Sequence, residues 1–419
     1  MSVPLSRNTN YRLLWTGQAV SEFGFNATMI AFPLVVLAVS GSAVASGFVL
    51  GTVATAQLIV GLPAGALVDR WNRRAVMLAC EATHALAIGS LVLALWFGVA
   101  TVAHMVVVAA VIGVCAALFE PAEDATLPSL VPAGQLSTAV AMNSARSSLG
   151  QLSGTAAGGF LFAAGRFVPF LADALTHAAA FVALLFLRPP PRIAPPEPAG
   201  HLGREILAGL RWVWGHRHIR VTALCAVVLN LFFSAYYLVI ILLAQSRGVP
   251  PEQIGVMAAM LGVGGIVGAL AAPYLHRVMG PYLSITGVFW VLTALTPVAL
   301  IVHHGYLMGA LFFAMALLPP TANTTIVTQQ LLHTPDELRG RLSSVLGLIT
   351  GVAAGAGPVV GGVLMEVAPG GTAVLLCTAG IALATLLVTV SPVLRHFPRY
   401  ETSSDNDLTH AMEGAGKHG

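Results

Sequence analysis

Long apolar runs constrain this chain more than any other feature. A helix that crosses about 30 Å of hydrocarbon needs about 20 mostly apolar residues. The sequence contains twelve runs of that kind, near residues 13–38, 45–68, 75–97, 102–121, 139–164, 168–187, 219–244, 253–275, 282–302, 306–328, 342–367 and 371–394. With 57% hydrophobic and 9% charged residues, the chain has too little polar material to cover a water-facing surface. We therefore predict an all-α polytopic membrane protein with twelve transmembrane helices.

Several classes of function are excluded by residues that are missing or isolated. The lone lysine, Lys417, lies in the polar C-terminal tail, so the chain offers no P-loop lysine and no buried Schiff-base lysine. No HExxH or GxSxG pattern and no metal-ligand spacing occurs, and the four cysteines lie far apart in apolar runs. The net charge of +3 is spread over many loops. We therefore expect a protein that is not an enzyme, with no cofactor, no metal ion and no nucleic-acid partner.

The distribution of arginine predicts the orientation. Placing the N-terminus in the cytoplasm puts most arginines on that side, and only Arg166 and Arg247 fall clearly outside. Since positively charged loops stay cytoplasmic, both termini are expected inside. The strong preference for arginine over lysine, with abundant alanine, is typical of GC-rich bacterial genomes, so we expect a multi-pass protein of a bacterial inner membrane.

A change of composition divides the chain between the sixth and seventh runs. Residues 188–200 are rich in proline and predict an extended spacer. Leu202, Ile206, Leu210 and Trp214 then recur every four residues among arginines, which is typical either of a helix in the membrane interface or of a solvated linker helix. The predicted organisation is a six-helix half at 1–187, a linker at 188–218, a second half at 219–394, and a disordered cytoplasmic tail at 395–419.

The two halves resemble each other. Residues 127–161 run parallel to residues 327–364, and in each segment a Pro-containing loop leads into a Ser-rich helix start and a stretch of small residues ending in Gly-Gly. Six helices repeated once in the same orientation are the plan of a transporter whose halves rock about a central site. Small residues let helices approach closely, and the expected packing positions are Gly154, Gly158, Gly159, Gly357, Pro358, Gly361 and Gly362.

A loop motif follows the second run. Residues 65–78 read GALVDRWNRRAVML and resemble the GxLxDRxGRR signature of the major facilitator superfamily, with Asn72 in place of the second Gly. Asn tolerates a left-handed backbone better than most residues, so we expect the turn to persist. Gly65 is expected to allow close helix approach. The arginines either enforce topology or, as the resemblance implies, form a latch between the halves on the cytoplasmic side; this gate comprises Gly65, Asp69, Arg70, Arg73, Arg74 and Arg146.

Three more segments, residues 119–132, 170–182 and 204–220, resemble the macrolide-efflux-like and enterobactin-exporter-like branch of that superfamily. The similarity covers residues 7–394. The resemblance implies the major facilitator fold and export driven by the proton gradient.

Glu22 is the leading candidate for proton coupling. It lies about ten residues into the first run, which is about 15 Å deep at about 1.5 Å per residue. Inserting a charged acid at the centre of a bilayer costs about 2.5 to 3.5 kcal/mol of free energy, so such a residue usually has a function. A structural hydrogen bond and a counter-charge for a cationic substrate remain open as alternatives.

Other acids within the runs have two interpretations each. Glu81 and His84 stand one turn apart on the third run and either share a proton or form an interhelical pair. Glu120, at the cytoplasmic end of the fourth run, is a further candidate for proton coupling; alternatively, it belongs to an acidic group with Glu123 and Asp124 that meets Arg146 for structural reasons. Asp173 and His177, near the start of the sixth run, are expected to make a cap or gate contact.

Isolated amides and aromatics in apolar helices predict a cavity for an amphipathic ligand, and some of them alternatively join helices. The candidates are Gln18, Asn26, Asn230, Phe233, Tyr236, Tyr237, Asn323 and Thr324. The predicted function is a monomeric secondary transporter that works by alternating access and exports an amphipathic antibiotic or siderophore in exchange for protons, among membrane lipids. The alternatives are a proton-coupled uptake symporter of the same fold and a membrane binding protein or sensor that does not transport.

Overall fold

The computed structural model describes residues 4–189, 210–332, 334, 336–368 and 370–395. The described part of the chain is helical, and its α-helices are α1 (Thr9–Ser40), α2 (Ala43–Arg70), α3 (Arg73–Trp96), α4 (Val102–Leu130), α5 (Leu136–Ala164), α6 (Val168–Leu185), α7 (Arg217–Ser246), α8 (Pro251–Val278), α9 (Pro281–Leu295), α10 (Gly305–Ala316), α11 (Pro319–Leu332), α12 (Asp336–Val367), α13 (Gly371–Val390) and α14 (Pro392–Arg395).

Polar side chains define where several helices of the first half begin. Asn8, Ser42, Asn72 and Thr101 each accept a hydrogen bond from the backbone N–H three residues ahead, at the starts of α1, α2, α3 and α4. Such caps satisfy N–H groups that have no partner within the helix. The turn between α2 and α3 persists, as expected, but Asn72 has φ −70° and ψ 109° and does not use left-handed backbone. This residue is instead extended, because its side chain caps α3.

The tenth predicted span is not one continuous helix. It consists of α10 and α11, separated by bends at Leu317 and Leu318 ahead of Pro319 and Pro320. Proline lacks the N–H that would continue the ladder, and it disfavours helical backbone at the preceding residue. With α10 and α11 counted as one span, the described chain has the twelve membrane-spanning segments that the apolar runs predict.

Eleven helical segments of the described chain are long and apolar enough to cross a membrane. The remaining long helix is α5, which carries several Ser and Gly residues and the charged Arg146. Its position explains its composition, since Gly150 and Gly154 contact α1 and Gly262 of α8 contacts Leu152. Because much of α5 faces other helices, it needs fewer apolar side chains than a lipid-facing span.

The twelve spans form two six-helix halves that meet mainly through two helix pairs, α2 with α12 and α5 with α8, and to a smaller extent through α1 with α7. Each half begins with a helix packed on its own fifth span, α1 on α5 and α7 on α12. The end of the bundle with the N-terminus, the α2–α3 connection and the start of α7 is called the basic end here. The other end, with the α1–α2 connection and the end of α12, is called the opposite end.

The predicted linker is described only in part. Residues 190–209, including Leu202 and Ile206, and the tail at 396–419 lie outside the described residues. Residues 210–215 are helical, and Val213 is buried against Ile219 of α7 and Val345 of α12. Trp214 is exposed. The end of the linker therefore packs on the second half.

Candidate functional site

A cavity of about 1500 Å³ lies between the two halves. Its aromatic lining residues are Phe25, Phe233 and Tyr237, and its polar ones are Asn26, Gln57, Glu120, Asp124, Ser148, Gln151, Thr155, Asn230 and Ser234. The lining thus includes two carboxylates, and among the described residues it includes no Lys, Arg or His. Apolar walls with a few polar groups are typical of ligand pockets, and the charge here is negative.

The cavity is closed at the opposite end by glycine contacts between the halves. A Cβ atom on Gly159 of α5 would lie 2.7 Å from the backbone nitrogen of Gly255 of α8. A Cβ on Gly362 of α12 would lie 2.6 Å from the carbonyl oxygen of Ala43 of α2. Backbones can come this close only where no side chain intervenes. Both halves therefore use the second Gly of the Gly-Gly pair for the same contact.

The remaining glycines of the two small-residue stretches pack within their own halves. Gly154 and Gly158 face the backbone of α1, and Gly357 and Gly361 face the backbone of α7. Pro358 lines the cavity. The two repeated sequence segments therefore make equivalent helix contacts, each packing on the first helix of its own half.

Glu366 adds a polar contact between the halves at the opposite end. Its Oε2 atom accepts hydrogen bonds from the Ser42 hydroxyl at 3.2 Å and the Ala43 N–H at 3.0 Å. A carboxylate of α12 therefore caps the N-terminus of α2, where backbone N–H groups favour a negative charge. Sequence reasoning missed this residue, since nothing local indicates that α2 begins beside it.

At the basic end, the cavity reaches Gly65 of α2, Ala269 of α8 and Gly347 of α12. A Cβ on Gly65 would meet nothing within 4 Å, so the expectation of close helix approach at Gly65 is wrong for this conformation. The reason is that Gly65 lines the open part of the cavity. The conformation is closed at the opposite end, and its cavity extends towards the basic end.

The charged residues of the α2–α3 motif contact the first half. Asp69 lies 3.3 Å from Arg73, which also donates to the Ala125 carbonyl at 2.5 Å. Arg74 donates to the carbonyl oxygens of Leu184 and Leu185 at the end of α6, and Arg70 is exposed. These bonds hold α3 against α4 and α6.

A buried ionic cluster joins α1, α4 and α5. Arg146 donates to both oxygens of Glu123, at 2.7 and 3.2 Å, and to Oε1 of Glu22 at 3.2 Å. The other oxygen of Glu22, Oε2, is buried and accepts no hydrogen bond. Arg146 therefore meets the acidic group of α4 through Glu123, as expected, whereas Glu120 lines the cavity. A gate contact of Arg146 stays a prediction. Asn26, one turn beyond Glu22, lines the cavity, so the cluster lies beside it.

A second buried cluster joins α1, α3 and α6. Glu81 accepts a hydrogen bond from Gln18 at 2.8 Å and lies 2.5 Å from His177 Nδ1. His84 Nε2 lies 3.3 Å from Asp173. Of the two interpretations of Glu81 and His84, this geometry favours interhelical pairing, because each of them bonds to α6 and not to the other. Asp173 and His177 are buried within the half, where sequence reasoning expected a cap or gate contact.

Four of the eight residues predicted for the cavity line it, and four lie elsewhere. Asn26, Asn230, Phe233 and Tyr237 are lining residues. Gln18 is buried against Glu81, and the Tyr236 hydroxyl donates to the Thr296 carbonyl. Asn323 and Thr324 are exposed and are not lining residues. Gln57 and Gln151 were missed, although as lone amides in predicted helices they carry the same signal.

This arrangement of two helical halves around one cavity agrees with the sequence pattern of a known family. The pattern of the transmembrane secretion effector family, a major facilitator family, matches residues 2–413. The chain belongs to this transporter family.

Curated members of related transporter groups align along most of the chain. The multidrug efflux pump Tap of Mycolicibacterium fortuitum is 29% identical over 368 residues, covering 82% of this chain and 86% of that protein. The enterobactin exporter EntS of Escherichia coli O9:H4 is 25% identical over 414 residues, covering 96% of this chain and 97% of that protein. The resemblance to macrolide-efflux-like and enterobactin-exporter-like proteins is confirmed at the level of the superfamily and its efflux members.

Solved structures confirm the major facilitator fold. The nucleoside transporter NupG superposes with a TM-score of 0.74 at 11% identity, over 93% of this chain and 100% of NupG. A bacterial homologue of the lysosomal transporter Spinster, inward-facing and unoccupied, superposes with a TM-score of 0.71 at 14% identity, over 94% of this chain and 98% of that chain. At such identities the likeness shows the fold alone. The protein is a multi-pass membrane transporter of this family and not an enzyme.

Proposed function

We propose that this transporter exports a cationic amphipathic compound from the bacterial cytoplasm in exchange for protons, by alternating access and as a monomer in the inner membrane. The observation that carries the proposal is the acidic cavity between the halves, which glycine contacts close at the opposite end. Efflux is favoured over uptake because the curated relatives Tap and EntS are named as exporters. A sensor that does not transport is disfavoured by a cavity that spans both halves.

The orientation follows from charge. The basic end carries Arg70, Arg73 and Arg74, and positively charged loops stay cytoplasmic. Both termini then lie in the cytoplasm, and the described conformation faces inward. In this state a substrate enters the cavity from the cytoplasm, as export requires.

The charge of the cavity favours one class of substrate. Glu120 and Asp124 are exposed to it, while Phe25, Phe233 and Tyr237 provide aromatic surfaces. Carboxylates attract cations, and aromatic faces bind cations as well as apolar groups. Of the two substrate kinds expected from the sequence, a basic drug-like compound fits better than an anionic siderophore.

Glu22 is the group proposed to carry the proton. Arg146 and Glu123 neutralise each other through two bonds, so an ionised Glu22 leaves the cluster with one excess negative charge. A proton on Glu22 removes that charge, and Oε2 is the oxygen that makes no other bond. A buried cluster is more stable when its charges balance. A cation in the cavity and a proton on Glu22 can therefore replace each other.

A vesicle assay tests the proposal. Inverted membrane vesicles with an acidic interior are mixed with a fluorescent, permanently charged amphipathic cation, which protonation cannot trap. The expected result is gradient-driven accumulation by the wild type, loss of accumulation in Glu22→Gln, and retained binding of the cation by both. Glu252→Gln, which removes an acid from the first turn of α8, is the matched control.

Three outcomes contradict parts of the proposal. Accumulation that persists in Glu22→Gln excludes that residue as the proton carrier. Accumulation only in right-side-out vesicles, driven by an acidic exterior, establishes the uptake symporter. Binding without accumulation in either orientation establishes the protein that does not transport.

A further inference from the structure

The buried cluster of Glu81, His84, Asp173 and His177 is not explained by transport through the cavity, because none of its members lines that cavity. Glu81 and His84 come from α3, and Asp173 and His177 from α6. All four side chains are nearly inaccessible, with exposed fractions of 2%, 4%, 0% and 11%. Buried groups of this kind need compensation of their charge.

The orientation of His177 leaves its Nε2 atom without a hydrogen-bond partner. Its Nδ1 lies 2.5 Å from Glu81 Oε2, and Gln18 fixes the other oxygen of Glu81. With the proton on Nδ1, the Nε2 lone pair points towards Asp173 Oδ1, 3.2 Å away. Both atoms are buried and neither makes a hydrogen bond. A lone pair facing a carboxylate oxygen is repelled unless a proton or a metal cation lies between them.

His84 completes a set of three possible ligand atoms. Its Nε2 lies 3.3 Å from the second Asp173 oxygen. Its ring stacks on that of His177 with centroids 3.6 Å apart and an interplanar angle of 15°, so the two rings must tilt apart for both nitrogens to bind one ion in their ring planes. One ligand atom from each of His84, Asp173 and His177 lies within 4.8 Å of the others. A tetrahedral ion with bonds of about 2.0 Å places its ligand atoms about 3.3 Å apart. The two nitrogen–oxygen distances, each to a different oxygen of Asp173, are close to that spacing.

We propose that His84, Asp173 and His177 bind a first-row divalent transition metal ion of the Zn²⁺ type, with Glu81 orienting His177 from the second shell. Two neutral imidazoles and a carboxylate are typical ligands of such ions, and a carboxylate that holds the other ring nitrogen is a frequent partner. A divalent cation also balances the two buried carboxylates, Glu81 and Asp173. The ion ties α3 to α6 within the first half.

The spacing within each helix supports the set. Asp173 and His177 are separated by four residues and therefore share one face of α6. Glu81 and His84, three residues apart, share the facing side of α3. Sequence reasoning predicted no metal site because it searched for ligands close together in the chain, whereas these come from two helices.

Metal binding by the full chain, produced without a polyhistidine tag, is the test. The purified protein is treated with a chelator and titrated with Zn²⁺, and separately with Co²⁺, whose visible absorption reports tetrahedral coordination. We expect about one ion per chain, and affinities lowered at least tenfold in His84→Gln and in Asp173→Asn. His104→Gln, a histidine hydrogen-bonded to Ser90 outside the cluster, is the control and should bind as the wild type does.

The melting temperature of the wild type tests the proposal even if the variants fail to fold. Zn²⁺ should raise the melting temperature of the chelator-treated wild type, since a ligand bound only by the folded state stabilises it. The proposal is wrong if the wild type binds no ion and its melting does not respond to Zn²⁺, in which case protons hold the cluster together. Equal binding by wild type, His84→Gln and Asp173→Asn also overturns it. Neither readout depends on transport, so a failed export assay leaves this test intact.

Discussion

Glu22 of α1 and Arg146 of α5 lie 3.2 Å apart, although 124 positions separate them in the chain. The same guanidinium holds both oxygens of Glu123. Arg146 thus donates to two carboxylates: both oxygens of Glu123 accept a hydrogen bond from it, whereas only one oxygen of Glu22 does. The two carboxylates should therefore respond differently to substitution.

Arg146→Gln should destabilise the protein strongly, and Glu22→Gln should not. Removing the arginine leaves two acids in a buried site, and breaking a buried pair costs about 3 to 5 kcal/mol. Removing the charge of Glu22 leaves the pair of Arg146 and Glu123 intact. Unfolding in detergent, compared with Arg166→Gln on the surface, measures the difference. Equal losses in Arg146→Gln and Glu22→Gln would show that Glu22 is a structural partner of the arginine.

Neutralising the cavity acids should change substrate preference. In Glu120→Gln combined with Asp124→Asn, the affinity for an amphipathic monovalent cation should fall about tenfold, equivalent to about 1.4 kcal/mol. The affinity for an uncharged analogue of the same shape should stay within about twofold, because the aromatic and amide lining is unchanged. Equilibrium binding to purified protein measures both. A parallel loss for both ligands would mean that the acids maintain the shape of the cavity and not its charge preference.

Glu366→Gln should open the opposite end of the bundle more often. The neutral amide is a weaker acceptor for the α2 N-terminus, so the contact between the halves loses a charge-assisted bond. A reporter cysteine, Asn230→Cys in the cavity, should react faster with an impermeant maleimide added from outside. The four native cysteines are buried, which keeps the background low. Unchanged or slower labelling, with Glu252→Gln as reference, would exclude Glu366 as part of the closure.

Gly159→Ala should impair transport more than it impairs folding. An added Cβ would lie 2.8 Å from Gly255 Cα across the contact between the halves, so the conformation closed at the opposite end is disfavoured. Gly89→Ala on α3 is the matched control, since a Cβ there meets nothing within 4 Å. Transport rates and melting temperatures of both variants provide the comparison. Similar transport rates in the two would show that the halves tolerate a wider separation at this contact.

The sequence predicted the membrane spans well, because they depend on local composition. It predicted the polar contacts between helices less well. The apolar runs and the Gly-Gly repeat indicated the helices and the packing faces, because both depend on residues close together in the chain. Pro319 and Pro320 lie at the break between α10 and α11, but the apolar run alone does not show whether these prolines bend one helix or separate two. Isolated amides gave mixed results: Asn26 lines the cavity, whereas Gln18, two turns earlier on α1, holds Glu81.

The sequence by itself determined the number of spans and the twofold plan. In hydrocarbon every backbone group must be bonded within its own helix, so each run of about 20 apolar residues specifies a helix independently of the others. Only the tertiary structure decided which buried polar groups meet. The partners of Glu81 come from α1 and α6, 63 and 96 positions away. Such pairs depend on how helices rotate and cross, which the spacing within one run does not specify.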